Sequence, residues 1–278
     1  MTPRELIRQT AAAFRSAGVP DPEVDAALLL AHVTGQAPLL LRTDDWTALP
    51  SDALSAFDAL ARRRLTREPL QYILQSQSFL GREFYVDRRV LIPRPETELL
   101  AERAMDCLRQ KGPGAAALDL CCGSGCIAVS MALAVPDAEV HACDLSGDAL
   151  AVTRRNAEAL GAAVTLHQGD LLDAVDNLFF DVIVSNPPYI PTADCEALQQ
   201  EVLLEPTMAL DGGRDGLDFY RRIAQGAAAR MKPDAVLLLE VGYDQAGAVQ
   251  RLLLEAGFHH VQAHEDYQHI QRMIEAHH

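Results

Sequence analysis

The chain has 278 residues, enough for one large domain or two ordinary ones. Hydrophobic residues make up 49%, which supports packed cores and excludes a disordered chain, and no apolar run approaches the length of a transmembrane helix. The net charge of −15 is uneven: residues 1–80 carry 8 basic against 9 acidic side chains and residues 81–278 carry 16 against 30, which disfavours tracking of a phosphate backbone by the second part.

Residues 1–75 read as a helical bundle. Apolar residues at helical spacing fill 4–17, and Gly18 ends the run. Asp21-Pro22-Glu23 places an N-cap and a proline at the start of a helix over 24–33, which Gly35 stops. Val24, Leu28 to Leu30 and Val33 are its candidate core, with a docking face for a partner as the other reading. A third helix over 52–64 has a basic last turn, which suits the helix dipole.

The pattern then changes. Phe79 to Val86 reads as a hairpin around Gly81. Residues 90–98 contain Pro93 and Pro95, which oppose helix and give an extended segment, and a helix follows over 98–109. After the turn Lys111-Gly112-Pro113-Gly114, strands and helices alternate, the signature of a mostly parallel sheet. Strands are expected over 115–121, 139–144, 164–168, 179–185 and 235–241, with helices over 127–134 and 147–160. Residues 259–264 and 270–275 read as a closing antiparallel hairpin. The domain boundaries implied are 1–75 for the helical part, 76–92 for a hairpin and linker, and 93–278 for the α/β part.

Asn186-Pro187-Pro188-Tyr189 is the most informative string. It follows an apolar run, 179–185, that reads as a buried strand, and the two prolines end that strand because neither can donate to a ladder. A polar Asn therefore sits at the carboxyl end of a central strand, the edge where open α/β sheets bind ligands. Its side-chain oxygen and the Pro187 carbonyl can both accept hydrogen bonds from a planar –NH2 group, and the Tyr189 ring can pack on that plane.

Three other strand ends carry acids. Asp119-Leu120-Cys121-Cys122-Gly123-Ser124-Gly125 closes the first strand of the α/β part with a glycine loop, Asp144 ends the next, and Asp170 follows the third. A G-x-G-x-x-G pyrophosphate loop is absent, because Ala128 stands at its last position. An acidic loop suits a cation better. S-adenosylmethionine offers a sulfonium with an amino group, a ribose and an adenine, and Asp119, Asp144 and Asp170 match those needs in order. Six cysteines (107, 121, 122, 126, 143, 195) lack metal-ligand spacing, so reduced thiols and no metal are expected. The opening Met1-Thr2-Pro3-Arg4-Glu5 lacks the layout of a signal peptide, so a soluble, cytoplasmic protein with no membrane partner is expected.

With these residues in place, the sequence resembles the release-factor glutamine methyltransferase (PrmC/HemK) family of class I S-adenosylmethionine-dependent methyltransferases. The likeness runs over essentially the whole chain. It includes Arg67-x-Pro69-x-Gln71-Tyr72-Ile73, Phe79-x-Gly81, Leu91-Ile92-Pro93-Arg94-Pro95-Glu96-Thr97-Glu98, Asn186 to Ile190, Glu205-Pro206, Ala209 to Gly213 and Asp215-Gly216. The resemblance implies a seven-stranded Rossmann-like domain behind a helical bundle that recognises substrate. The acceptor would be the glutamine amide in the Gly-Gly-Gln motif of class I peptide chain release factors, with no direct nucleic-acid partner. Asp119, Cys121, Cys122, Gly123, Ser124, Gly125, Asp144, Asp170, Leu171 and Asn186 would hold the cofactor, and Asn186, Pro187, Pro188 and Tyr189 would hold the substrate. The chain departs from the family at Cys121 and Gln75, where glycine is common, and at Gln271, where a glycine often precedes the arginine. Glutamine methylation of a ribosomal protein, adenine N6 methylation of nucleic acid and a non-catalytic binding module are the alternatives.

Overall fold

A computed structural model describes residues 1–43 and 48–278, and the chain divides into two compact units. The first comprises Met1–Ser76 and Gln199–Leu204. Its helices are α1 (Pro3–Ser16), α2 (Pro22–Thr34), α3 (Ser51–Leu65) and the short α4 (Leu70–Leu74). Thr2 and Glu5 form a reciprocal capping box on α1, which satisfies two of its orphan N–H groups. Pro22 opens α2, but the Asp21 side chain makes no capping bond. Leu29 and Leu30 are fully buried with Phe14, Ala26 and Phe57. Val24 was expected in this core and lies outside it, 49% exposed. α4 is too short to leave a periodic pattern in the sequence.

The second unit comprises Gln77–Leu198 and Glu205–His278, so the hairpin counted above as linker packs with this unit from Gln77 onward. That hairpin is β1 (Gln77–Phe79) with β2 (Arg82–Phe84), turning through Leu80-Gly81. Helix α5 (Pro95–Lys111) starts three residues before the expected Glu98. Pro95 occupies its first turn, where a missing N–H costs nothing, so the second proline starts the helix instead of delaying it. Next come β3 (Ala116–Leu120), α6 (Cys126–Ala134), β4 (Glu139–Asp144), α7 (Gly147–Leu160), β5 (Thr165–Gln168) and β6 (Phe180–Ser185). The chain ends with α8 (Asp218–Ala227), β7 (Met231–Glu240), α9 (Ala246–Glu255), β8 (His259–Glu265) and β9 (Gln271–His277).

The sheet has seven strands in the order β5-β4-β3-β6-β7-β9-β8. Strands β3 to β7 run parallel, and β9 joins antiparallel between β7 and β8. Alternation along each strand sends side chains to opposite faces. Val182, Val184, Val236 and Leu238 pack in one core with residues of α5, α6 and α7. Ile183, Leu237 and Leu239 pack in the other with Tyr220 and Ile223 of α8 and Val249 and Leu253 of α9. Burial on both faces explains why these strands read as continuous apolar runs. From β3 the chain steps outward through β4 to β5, then returns to the other side of β3 at β6. That reversal is the topological switch point, where a crevice opens beyond the strand ends. Among the described residues, no helix is long and apolar enough to cross a membrane.

Candidate active site

The crevice is present at the switch point. A cavity of about 340 Å³ is lined by Cys121, Gly123, Asp144, Asp170, Leu171, Asn186 and Pro188, among others, all within the second unit. Asp119, Cys122, Ser124, Gly125, Pro187 and Tyr189 are not part of its lining.

The glycine loop is held from below and from the side. Asp119 is 1% exposed, and its Oδ2 accepts the Ala128 N–H of α6 at 3.0 Å. Its Oδ1 is buried with no partner among the described residues. Burial, with the nearby Asp144 carboxylate, pushes the Asp119 carboxyl up to about 8. Helix α7 clamps the loop: Thr153 Oγ1 donates to the Gly123 carbonyl at 2.9 Å, and Asn156 Nδ2 donates to the Ser124 carbonyl at 2.8 Å. The clamp is tight enough to require glycine at 125. A Cβ there would lie 2.5 Å from Thr153 Cγ2, and φ is +77°.

Cys121 adopts φ +59°, the left-handed region, and Gln75 adopts φ +55° at the end of α4. Both positions are therefore ones where glycine is the unstrained residue. The Cys121 residue lines the cavity, and burial pushes its thiol far up. A left-handed non-glycine residue costs about 1–2 kcal/mol, and glycine's extra unfolded freedom returns about 0.5–1 kcal/mol of that. Cys121→Gly is thus expected to raise stability by about 0.5–1 kcal/mol, read as a higher urea midpoint at unchanged slope. A lowered midpoint would show that the thiol contributes packing that outweighs the strain.

Asp144 ends β4 and faces the cavity. Its Oδ2 accepts the Gly123 N–H and its Oδ1 the Ser146 N–H, each at 2.9 Å. Two carboxylate oxygens carry about four acceptor sites, so capacity for further donors remains. Burial raises this carboxyl from its ordinary range, and the backbone N–H groups act against the shift. Asp170 lies at the cavity edge and pairs with Arg222 at 2.8 Å, both roughly half-exposed. Leu171 follows with φ +52° and is buried.

Asn186 lies at the end of β6. Its Nδ2 donates to Thr97 Oγ1 at 3.1 Å, and among the described residues its Oδ1 takes no hydrogen bond. The turn after it is fixed by residues 210–213. Ile190 N–H donates to the Leu210 carbonyl, Gly212 N–H donates to the Ile190 carbonyl, and a Cβ on Gly212 would lie 2.7 Å from Tyr189 Cα. Tyr189 packs against the core, with its carbonyl accepting from Gln245 Nε2 at 2.8 Å and its hydroxyl 3.5 Å from Glu240 Oε1. Thr97 and Glu240, and the lining stretches Arg89 to Leu91 and Pro206 to Ala209, were not singled out as site residues from the sequence. Glu240 ends β7 as Asp144 ends β4, with Asp119 one residue short of the end of β3, and that position was the available signal.

Known proteins carry the same pattern. The PrmC N-terminal domain model matches residues 5–74, and the methyltransferase small domain model matches residues 97–213. The release factor glutamine methyltransferase of Geobacter sulfurreducens is 44% identical over 258 residues, covering 92% of this chain and 90% of that protein. The chain belongs to the release factor glutamine methyltransferase family. A related enzyme, the ribosomal protein uL3 glutamine methyltransferase of Bordetella pertussis, is 43% identical over 204 residues, covering 72% of this chain and 68% of that protein. A methyltransferase structure from Pyrococcus furiosus shares the fold, with TM-score 0.54 at 17% identity, over 78% of this chain and 98% of that one.

Proposed function

We propose that this chain transfers a methyl group from S-adenosylmethionine to the side-chain amide nitrogen of the glutamine in the Gly-Gly-Gln motif of peptide chain release factors. The observation that carries the reading is Asn186, held at the switch-point cavity with Nδ2 committed to Thr97 and Oδ1 left for a donor. The family relation supplies the substrate class. The helical unit, which matches the PrmC N-terminal domain over residues 5–74, is assigned recognition of the protein substrate.

The residues fit the cofactor. Asp144 has spare acceptor sites for ribose hydroxyls, and Asp170 at the cavity edge suits an adenine amino group. Asp119 has a buried oxygen without a described partner under the glycine loop, and a cation bound above the loop would favour ionisation of this carboxyl, which burial otherwise pushes up to about 8. The cofactor, when bound, supplies an electrophilic methyl group on sulfonium. The protein's own task is alignment. An amide nitrogen is a weak nucleophile, and holding it in line lowers the entropic part of the barrier. The Asn186 Oδ1 accepts one of its N–H groups, and the Pro187 carbonyl, outside the cavity lining, is assigned the other on the family resemblance alone. These bonds strengthen as positive charge builds on nitrogen, so they stabilise the transition state more than the bound substrate. No general base is required before transfer, and the proton leaves to water afterwards.

Methylation of a ribosomal protein is the second reading, supported by the uL3 enzyme's similarity. The release-factor relative matches over a larger share of both chains, which favours the first. The acidic balance of residues 81–278 opposes nucleic acid as substrate. The deciding assay offers labelled S-adenosylmethionine with a release factor, with its Gly-Gly-Gln glutamine changed to alanine, and with ribosomal protein uL3. Label on the first alone supports the proposal; label on uL3 alone overturns it.

A further inference from the structure

We propose that Thr97 and Glu240 are positioning residues for methyl transfer, because two hydrogen bonds in series from Glu240 through Thr97 fix which end of the Asn186 carboxamide meets the substrate. The inference rests on the function proposed above. Asn186 Nδ2 donates to Thr97 Oγ1 at 3.1 Å, and Thr97 Oγ1 donates to Glu240 Oε2 at 2.7 Å. Thr97 is 2% exposed and Glu240 3%, so water does not compete for these bonds.

The logic is one of proton counting. An ionised carboxylate only accepts, and a threonine hydroxyl has one proton. With that proton given to Glu240, the side of Thr97 facing Asn186 presents lone pairs alone. Only the –NH2 end of the carboxamide can meet them, so Oδ1 is turned towards the site. A flipped carboxamide would set oxygen against oxygen at Thr97 and donor against donor at the substrate amide. The three residues come from α5, β6 and β7 and span 143 positions of sequence.

The surroundings of Glu240 set its charge. On α5, Glu96 opposes ionisation; from β9, Arg272 favours it. The Tyr189 hydroxyl lies 3.5 Å from Oε1, the Tyr220 hydroxyl donates to the Glu240 backbone carbonyl at 2.8 Å, and the Cys126 thiol of α6 also senses the carboxylate. Burial dominates and pushes the carboxyl up to about 7. Above that pH Glu240 is ionised and Thr97 is locked as its donor. Below it, the protonated carboxyl can itself donate to Thr97, whose proton then turns to Asn186 and releases the carboxamide. Turnover is therefore expected to rise with pH through about 7.

The test compares Thr97→Val, Thr97→Ser and Glu240→Gln with wild type at saturating release factor and cofactor across roughly pH 5.5 to 8.5. Thr97→Val is expected to lower kcat roughly tenfold while leaving cofactor affinity in place. Thr97→Ser, which keeps the hydroxyl, should recover most of that loss. Glu240→Gln should flatten the rise through neutral pH, because a carboxamide there does not titrate. Equal turnover in the valine and serine variants would overturn the inference. So would a wild-type kcat that does not change between about pH 6 and 8. A second readout needs no turnover. The side-chain amide resonances of Asn186, assigned by their loss in Asn186→Ala, should shift with pH around 7 in wild type and stay fixed in Glu240→Gln. Wild-type resonances that ignore pH would overturn the inference even if the release factor proves not to be the substrate. A failure to label the release factor, with the resonances titrating, would overturn the functional reading alone.

Discussion

Asn186→Ala is expected to lower the single-turnover rate by roughly 10²-fold or more while leaving the fold intact. The loss follows from the position of the residue. Asn186 contributes an acceptor with no other described hydrogen bond, at the end of a strand whose next residues are fixed by three contacts from 210–213. Alanine removes the acceptor and leaves that scaffold in place. The core loses little, because Asn186 is only partly buried and Val182, Ile183 and Val184 carry the packing of β6. Thr97 keeps its bond to Glu240, so no buried hydroxyl is orphaned. Circular dichroism should match wild type, and cofactor affinity should fall less than turnover. Near-normal turnover would remove Asn186 from the chemistry and shift attention to backbone carbonyls of the turn.

Much of this architecture is legible in the sequence, and the misses have local causes. Strands β3 and β6 and the second half of β7 are legible because burial on both faces demands apolar runs, whereas β4 and the more exposed β5 are legible from their alternation with helices. Helices α8 and α9 were missed. Each has only ten residues, with Gly226 next to the end of α8 and Gly247 next to the start of α9, so little chain is left to display a helical period. Pro95 was read as delaying α5 when it opens the helix, since a proline's meaning depends on which turn it occupies. Strand β7 begins at Met231, ahead of Pro233, where the ladder with β6 is shifted in register.

At the site, the acids at strand ends were legible as a set but not as individuals. Asp119 and Asp144 look alike in sequence, yet one lies under the loop holding Ala128 N–H and the other faces the cavity. That difference is set by strand alternation and by the left-handed turn at Cys121, neither of which composition reveals. The contact between Thr97 and Glu240 joins residues far apart in the chain, so no local pattern predicts it.

Arg64→Met is the substitution expected to cost the helical unit most, about 3–5 kcal/mol. Arg64 has only 4% of its side chain exposed. Its Nε donates to Asp25 Oδ2 at 2.6 Å, its Nη2 to Glu201 Oε1 at 2.9 Å and its Nη1 to the Glu68 carbonyl at 3.2 Å. Asp25 is buried too, at 9%, and burial already raises its carboxyl against the pull of Arg64. Methionine fills much of the volume but leaves Asp25 with no cation, so the carboxyl must protonate or the helices must part to let water in. Glu201 suffers less, because Arg67 also binds it through both oxygens. The partnership explains the cost, and removing both members tests it. Arg64→Met with Asp25→Leu should recover most of the loss, since a buried pair replaced by apolar groups is often neutral. Two compact units need not unfold together, so urea unfolding should be followed with a probe in each. The expected result is an early transition in the helical unit of Arg64→Met, restored towards wild type in the double variant. A single-variant midpoint within about 1 kcal/mol of wild type would show that water already reaches Asp25, and that the fork of Arg64 is a surface pair in effect.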